Sequence, residues 1–244
     1  LFRSTNPDIS LAHSINDWFP PPPIGITCGG SITPFAVDKD YTLNNCDESA
    51  VVVQLLSSDS CGILRIVNSK IGTISLPNVY TGITILLVNS EVTRITDSGS
   101  VGSSLTNVTI RAVNSTLKRV VSNGRSDVID LIKAGLNTVA FDFLNITMEG
   151  IATSNIAIAG AIHIGGIVKN VSFVAKNTTI TAASDFSAAS ALRLVADSIE
   201  DTHFTFHDSK VEAHVNSDAH HVYAVEFMTR TTANENVYRN ITFA

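Results

Sequence analysis

The chain has 244 residues, of which 44% are hydrophobic and 16% charged, with a net charge of -6. That much apolar surface speaks against disorder, and the negative balance speaks against nucleic acid or an anionic membrane as the main partner. No apolar run reaches the ~18 residues of a membrane span, and three Cys are too few for a disulfide scaffold. Ser and Thr together number 50 and Asn 19, so the polar surface is made of hydroxyls and amides. With many β-branched residues beside them, they read as a β-rich extracellular surface.

The chain opens on Leu1, Phe2 and Arg3, without an initiator Met or a signal-peptide pattern, which reads as a mature or processed start. Residues 1–30 are expected to form an extended Pro-rich arm. Trp18 and Phe19 run into Pro20, Pro21, Pro22 and Pro23, a stiff stretch suited to lying on a neighbouring surface. Residues 31–60 are expected to be a cap or a degenerate first coil, with Lys39–Cys46 placed 22 residues before the first clear copy of a repeat. Cys28 and Cys46 flank this region and are the disulfide candidates. Cys46 with Cys61 is the other pairing, and one Cys is left over either way.

From residue 61 a repeat governs the chain. Copies start at 61, 82, 107, 138, 170, 201 and 240, at intervals of 21, 25, 31, 32, 31 and 39. Three residues after each start stand Leu64, Ile85, Ile110, Phe141, Phe173, Phe204 and Phe243. Five residues after stand Ile66, Leu87, Ala112, Phe143, Ala175 and Phe206. The positions between are mixed, so each copy is a strand with one buried face. Seven after the start comes Asn or Asp, which tolerates the left-handed conformation and makes a turn. A second strand follows with Ile71, Val92, Leu117, Met148, Ile180 and Val211 in step. A third precedes the later starts, at Val128–Leu131, Ala161–Ile164, Ala191–Leu194 and Ala224–Phe227. The expected fold is all-β: a parallel, right-handed β-helix, or solenoid, with three strands per coil and about seven coils over 61–244, the last incomplete. A β-sandwich is the alternative, but its strands would not share residue columns.

Solenoids of this shape include polysaccharide lyases and hydrolases, which gather carboxylates, or a Lys or Arg base, on one outer face. The third-strand column runs Asp130, His163, Arg193, Glu226, alternating in sign, which is cross-rung pairing and not an acid/base pair. Asp142 lies between Arg111 and Val174, and the second-strand column reads Lys118, Glu149, Thr181, Glu212. No two carboxylates are neighbours across a coil, as paired carboxyl chemistry needs. His203, His207, His214, His220 and His221 are grouped, but four strand residues separate His203 from His207 by about 13 Å. The expectation is no catalytic residue, no metal and no cofactor.

Six N-x-S/T sequons mark Asn107, Asn114, Asn145, Asn170, Asn177 and Asn240 as N-glycosylation candidates. Three are at start positions and three at the turn Asn, both rung corners. An open solenoid end is a row of unpaired strand groups. Reading Phe243 and Ala244 into Leu1 and Phe2 of a second copy continues part of the column pattern. Those residues, with Trp18, Phe19 and Pro20 to Pro23, are the assembly candidates. The expected function is a non-enzymatic subunit of an extracellular filament or surface appendage, a head-to-tail homopolymer. A monomeric cell-surface adhesion or display domain is the alternative, and a polysaccharide-acting β-helix enzyme the second alternative. The Val-Asn-Ser and Asn-Val-Thr-Ile coils over 61–244 resemble the Ser/Thr/Asn-rich surface proteins of kinetoplastid flagellates, such as the dispersed gene family. That resemblance implies a cell-surface location and no catalytic residues.

Overall fold

The computed structural model describes residues 24–26, 40–54, 62–76, 79–97, 103–217, 221–229 and 238–244. In chain order its strands are β1 (Ile24–Ile26), β2 (Asp40–Asn44), β3 (Asp47–Gln54), β4 (Gly62–Val67), β5 (Lys70–Leu76), β6 (Val79–Thr81), β7 (Ile83–Val88), β8 (Glu91–Asp97), β9 (Ser103–Val113) and β10 (Thr116–Val121). There follow β11 (Gly124–Arg125), β12 (Ile129–Leu131), β13 (Ala134–Leu144), β14 (Thr147–Ala152), β15 (Ala157–Lys176), β16 (Thr179–Ser184), β17 (Ala189–His207), β18 (Lys210–Val215), β19 (Val222–Thr229) and β20 (Tyr238–Phe243). Among the described residues there is no helix. The strands form a large parallel sheet, an arrangement compatible with a solenoid.

The register follows the residue columns. Leu64 pairs with Ile85, Ile85 with Ile110, Ile110 with Phe141, Phe141 with Phe173, Phe173 with Phe204, and Phe204 with Phe243. The second-strand column is equally continuous from Ile71 to Val211. In the third-strand column Asp130 pairs with His163, His163 with Arg193, and Arg193 with Glu226. β1, inside the segment assigned to the arm, pairs with β2. Leu1, Phe2, Trp18, Phe19 and Pro20 to Pro23 lie outside the described residues, as do Cys28 and Cys61.

One register differs from the sequence expectation. Leu43 pairs with Ile66, an interval of 23 and not 22. The corner decides it: Asn45 takes φ 55° and lines up with Asn68 at φ 47°. The 22-residue spacing would have put Asn44 in the apolar column, since a one-residue slip turns every side chain to the other face.

Corners are made by residues in the left-handed region. One series is Asn45, Asn68, Asn89, Asn114, Asn145, Asn177 and Asp208. The other is Gly82, Asn107, Thr138, Asn170, Asp201 and Asn240. Asn and Asp accept this conformation because their short polar side chains bond locally. Here they also bond between rungs: Asn145 Nδ2 donates to Asn114 Oδ1 at 2.9 Å and Asn240 Nδ2 to Asp201 Oδ1 at 2.8 Å. Behind the first series runs a buried hydroxyl ladder. Ser69 N–H donates to Ser90 Oγ and Ser90 N–H to Ser115 Oγ, both at 3.1 Å. Each hydroxyl in turn donates to the carbonyl two residues back, as Ser90 does to Val88 at 2.7 Å. A hydroxyl is both donor and acceptor, so each Ser at this position satisfies two main-chain groups that the turn leaves unpaired; Thr178 takes the same place, and Cys46 and Ile146 stand there without a hydroxyl.

The core fills between the columns. Phe141, Phe173 and Phe204 stack up one column, and Phe143 meets Phe173 edge-on at 5.3 Å and 71°. Phe143 has Ala112 on one side and Ala175 on the other, so large and small alternate where a run of rings would overfill the space. β15 and β17 run unbroken from the third strand into the next first strand. A register shift between Gly166 and Ile167 carries the pairing past one extra residue, Asp197.

Two tests follow from the corners. Ser90→Ala leaves the Ser69 N–H buried without an acceptor and should cost about 1–3 kcal/mol, read as a lower urea midpoint at unchanged slope. Ser90→Thr, which keeps the hydroxyl, should cost less. Thr138 is a β-branched residue at φ 57° where its column otherwise holds Gly, Asn or Asp. Thr138→Asn should therefore stabilise the fold by roughly 1 kcal/mol, raising the same midpoint.

Candidate functional site

The chemistry-bearing groups converge where β11 and β12 meet β15. β11 sets Arg125 opposite Ile158, and the chain then reaches Asp127 just before β12. Arg125 grips the Asp127 carboxylate with two parallel bonds, Nε to Oδ2 at 2.7 Å and Nη2 to Oδ1 at 3.0 Å. Asp127 is 1% exposed. It fits because the facing residue is Gly160: a Cβ there would lie 1.9 Å from Asp127 Oδ1. Gly160 is braced in turn, its N–H donating to Ser126 Oγ at 3.0 Å. Gly150 lies so close that a Cβ there would be 1.6 Å from the Gly160 carbonyl oxygen. Two glycines thus open the space that the buried carboxylate occupies.

The His163 ring stands between two acids. Its Nδ1 is 3.5 Å from Asp127 Oδ2 and 3.8 Å from Asp130 Oδ1, and the residue is 6% exposed. Asp130 is held from the other side by Arg94, and Arg119 Nη1 donates to the Asp127 carbonyl at 3.1 Å. One rung on, Arg193 Nε is 3.1 Å from Glu226 Oε2, which accepts from Ser190 Oγ at 2.6 Å. A cavity of about 550 Å³ adjoins this network, walled by Arg125, Ser190, Arg193 and Glu226 with Tyr223 and Met228.

The alternation Asp130, His163, Arg193, Glu226 is present as expected, but its first two members are buried in an ion network and are not an outer ladder. Asp127, Arg125, Arg94 and Arg119 were missed. Asp127 and Arg125 lie just before the third strand, where the residues that follow them in register, Ile158 after Arg125 and Gly160, Ser190 and Tyr223 after Asp127, share no residue type that would mark a column. The one sequence signal was the glycine facing Asp127.

Burial alone would raise the Asp127 pKa, but the adjacent His163 ring and the two bonds from Arg125, with their charges, outweigh it and hold the carboxyl at about 2. Burial lowers the pKa of Arg193, with repulsion from Arg125 next, and burial and then Arg94 lower that of Arg119. Oxygens of Asp127 and Asp130 and a His163 nitrogen lie within 4.8 Å of one another, which is a metal-ligand set by spacing. Its carboxylates are already engaged by Arg125 and Arg94, however. Four guanidinium groups (Arg94, Arg119, Arg125, Arg193) face three carboxylates (Asp127, Asp130, Glu226), so an added divalent cation meets net repulsion. The group is an ion-pair network before it is a metal centre.

The grouped His side chains are dispersed. His203 Nδ1 meets Thr242 Oγ1 at 2.7 Å, His214 pairs with Glu212 at 2.7 Å, and His221 lies against Tyr223; His220 is outside the described residues. Lys118 pairs with Glu149 at 2.5 Å and Arg111 with Asp142 at 3.3 Å. Cys46 is disulfide-bonded, and its partner lies outside the described residues. All six sequon residues, Asn107, Asn114, Asn145, Asn170, Asn177 and Asn240, are exposed. The side-chain amides of Asn145 and Asn240 already donate in the corner ladders.

The Asp127 carboxyl titrates at about 2 folded against an ordinary 3.8. A depressed folded pKa stabilises above the unfolded value and loses that contribution as the pH falls through the folded one. Acidifying from about pH 4 to pH 2 should therefore cost the wild type roughly 2 kcal/mol that Asp127→Asn, weaker already at neutral pH, does not lose. Denaturant titrations at stepped pH measure the difference.

Comparison of the chain with protein-family models, curated proteins and solved structures finds no match to any of the three.

Proposed function

We infer that the chain is a right-handed, three-stranded-per-coil β-solenoid of about seven coils that acts as a non-enzymatic structural element of an extracellular filament or surface appendage. Copies add head to tail, the C-terminal rung of one pairing with the first strands of the next. The observation that carries this reading is the state of the last described rung. β18, β19 and β20 pair with β16 and β17 on one side, and among the described residues nothing pairs on the other. Phe243 stacks on Phe204 at 4.8 Å and 8° yet is 46% exposed, and Phe227, edge-on to Phe243 at 5.5 Å, is 45% exposed. Among the described residues the apolar column thus ends on half-covered rings, and an added strand, which this reading assigns to a second copy, would cover them.

Supporting features point the same way. A disulfide at Cys46 suits an oxidising compartment. Exposed sequon residues at the corners leave room for N-linked glycans. Among the described residues no helix is long and apolar enough to cross a membrane. A monomeric adhesion domain is the second reading, favoured by the 550 Å³ cavity.

Electron microscopy and light scattering of the purified chain test the proposal. Filaments with an axial repeat of roughly 30–50 Å, near one solenoid length, are expected, and Phe227→Asp with Phe243→Asp should abolish them while leaving a folded monomer. Isolated short rods at high concentration, or filaments that survive the double substitution, overturn it.

A further inference from the structure

The cavity beside Arg125 and Arg193 is built of two unlike halves. One half carries the two guanidinium groups. Arg125 is already fixed on Asp127. Arg193 Nε is ion-paired with Glu226 Oε2 at 3.1 Å without the alignment of a hydrogen bond, and its Nη2 faces the Met228 sulfur at 2.9 Å, a weak acceptor that a better one could replace. The two cations also repel each other across the cavity wall. The other half is apolar and ring-bearing, with Ile158, Phe227 and Tyr223 all partly exposed. The rings of Tyr223 and His221 lie near parallel, 6.2 Å apart and 20° inclined, and form a shelf. Glu226, the carboxylate on the wall, is engaged by Ser190 and Arg193, so the site has little to offer a cation.

We propose that this cavity binds a small organic carboxylate with a ring-shaped or aliphatic body. The carboxylate meets the Arg193 fork in place of the Met228 sulfur, with Ser190 and Arg125 beside it, and the body lies against Tyr223 and Ile158. A guanidinium is matched to a carboxylate by its two parallel donors. The added negative charge balances a network in which guanidinium groups outnumber carboxylates by four to three. A volume of about 550 Å³ suits a ligand the size of an acidic sugar or an aromatic acid.

The site does not rest on the filament reading, although β19 belongs to both surfaces, so binding is measured on single chains verified by light scattering. Calorimetry and amide chemical-shift mapping are run with glucuronate and benzoate, with their neutral counterparts glucose and benzyl alcohol, and with inorganic phosphate. Saturable binding of a carboxylate, at least about tenfold tighter than its neutral counterpart, is expected, with shifts at Ser190, Arg193 and Tyr223. Preference for glucuronate identifies an acidic sugar and preference for benzoate an aromatic acid. Arg193→Gln should weaken binding about tenfold or more, and Arg193→Lys should restore only part of it. Tyr223→Ala, at an exposed position, should weaken the ring-bearing ligands without unfolding the chain. If neither carboxylate binds, if phosphate binds as well as they do, or if Arg193→Gln binds like the wild type, the proposal is overturned.

Discussion

A residue in the left-handed conformation recurs at the same two places in nearly every rung, and the rest of the structure depends on it. At the second series of corners the chain turns inside a long strand, the corner residue itself left out of the ladder, as at Asn170 in β15 and Asp201 in β17, where pairing resumes at Ser172 and His203. The turn leaves main-chain groups facing inward, where an unpaired N–H is costly. The Ser hydroxyls behind the corner accept from one rung and donate within their own. Where a Ser or Thr stands behind the corner, corner, hydroxyl and strand form one unit, and stacking such units keeps the register self-consistent along the columns.

The interior then asks only for volume. Aliphatic residues serve in the early rungs and Phe in the later ones, where Ala112 and Ala175 make room for Phe143. This progression accompanies the lengthening of the repeat from 21 to 31 and 32 residues. Phe243 and Phe227 continue that stack to an edge where half of each ring is uncovered.

The ion network is the exception to the repeating scheme. It depends on two glycines that bring backbones unusually close, and on a connection before β12 that no other rung repeats. Asp127 is nearly inaccessible yet ionised to about pH 2, because the Arg125 fork and His163 supply more than its burial removes. A buried charge set of this kind is a poor source of net stability compared with apolar packing, which directs attention to the cavity on its flank.

The sequence by itself determined the strands, their columns and their parallel stacking, because period 2 alternation and corner Asn recur with the repeat. It also placed Asp130, His163, Arg193 and Glu226 side by side, since a column position is a contact in a parallel stack. It misplaced β2 by one residue, because a degenerate copy carries too few apolar positions to fix a register that the Asn45 corner fixes in space. Only the tertiary structure brought Asp127, Arg125, Arg94 and Arg119 to that column. They come from connections and neighbouring strands without a common spacing, and their meeting depends on backbone approach at Gly150 and Gly160, which alternation along a strand does not encode. The cavity likewise exists only once β17 and β19 are stacked, because its walls come from different rungs and its floor is a consequence of their register.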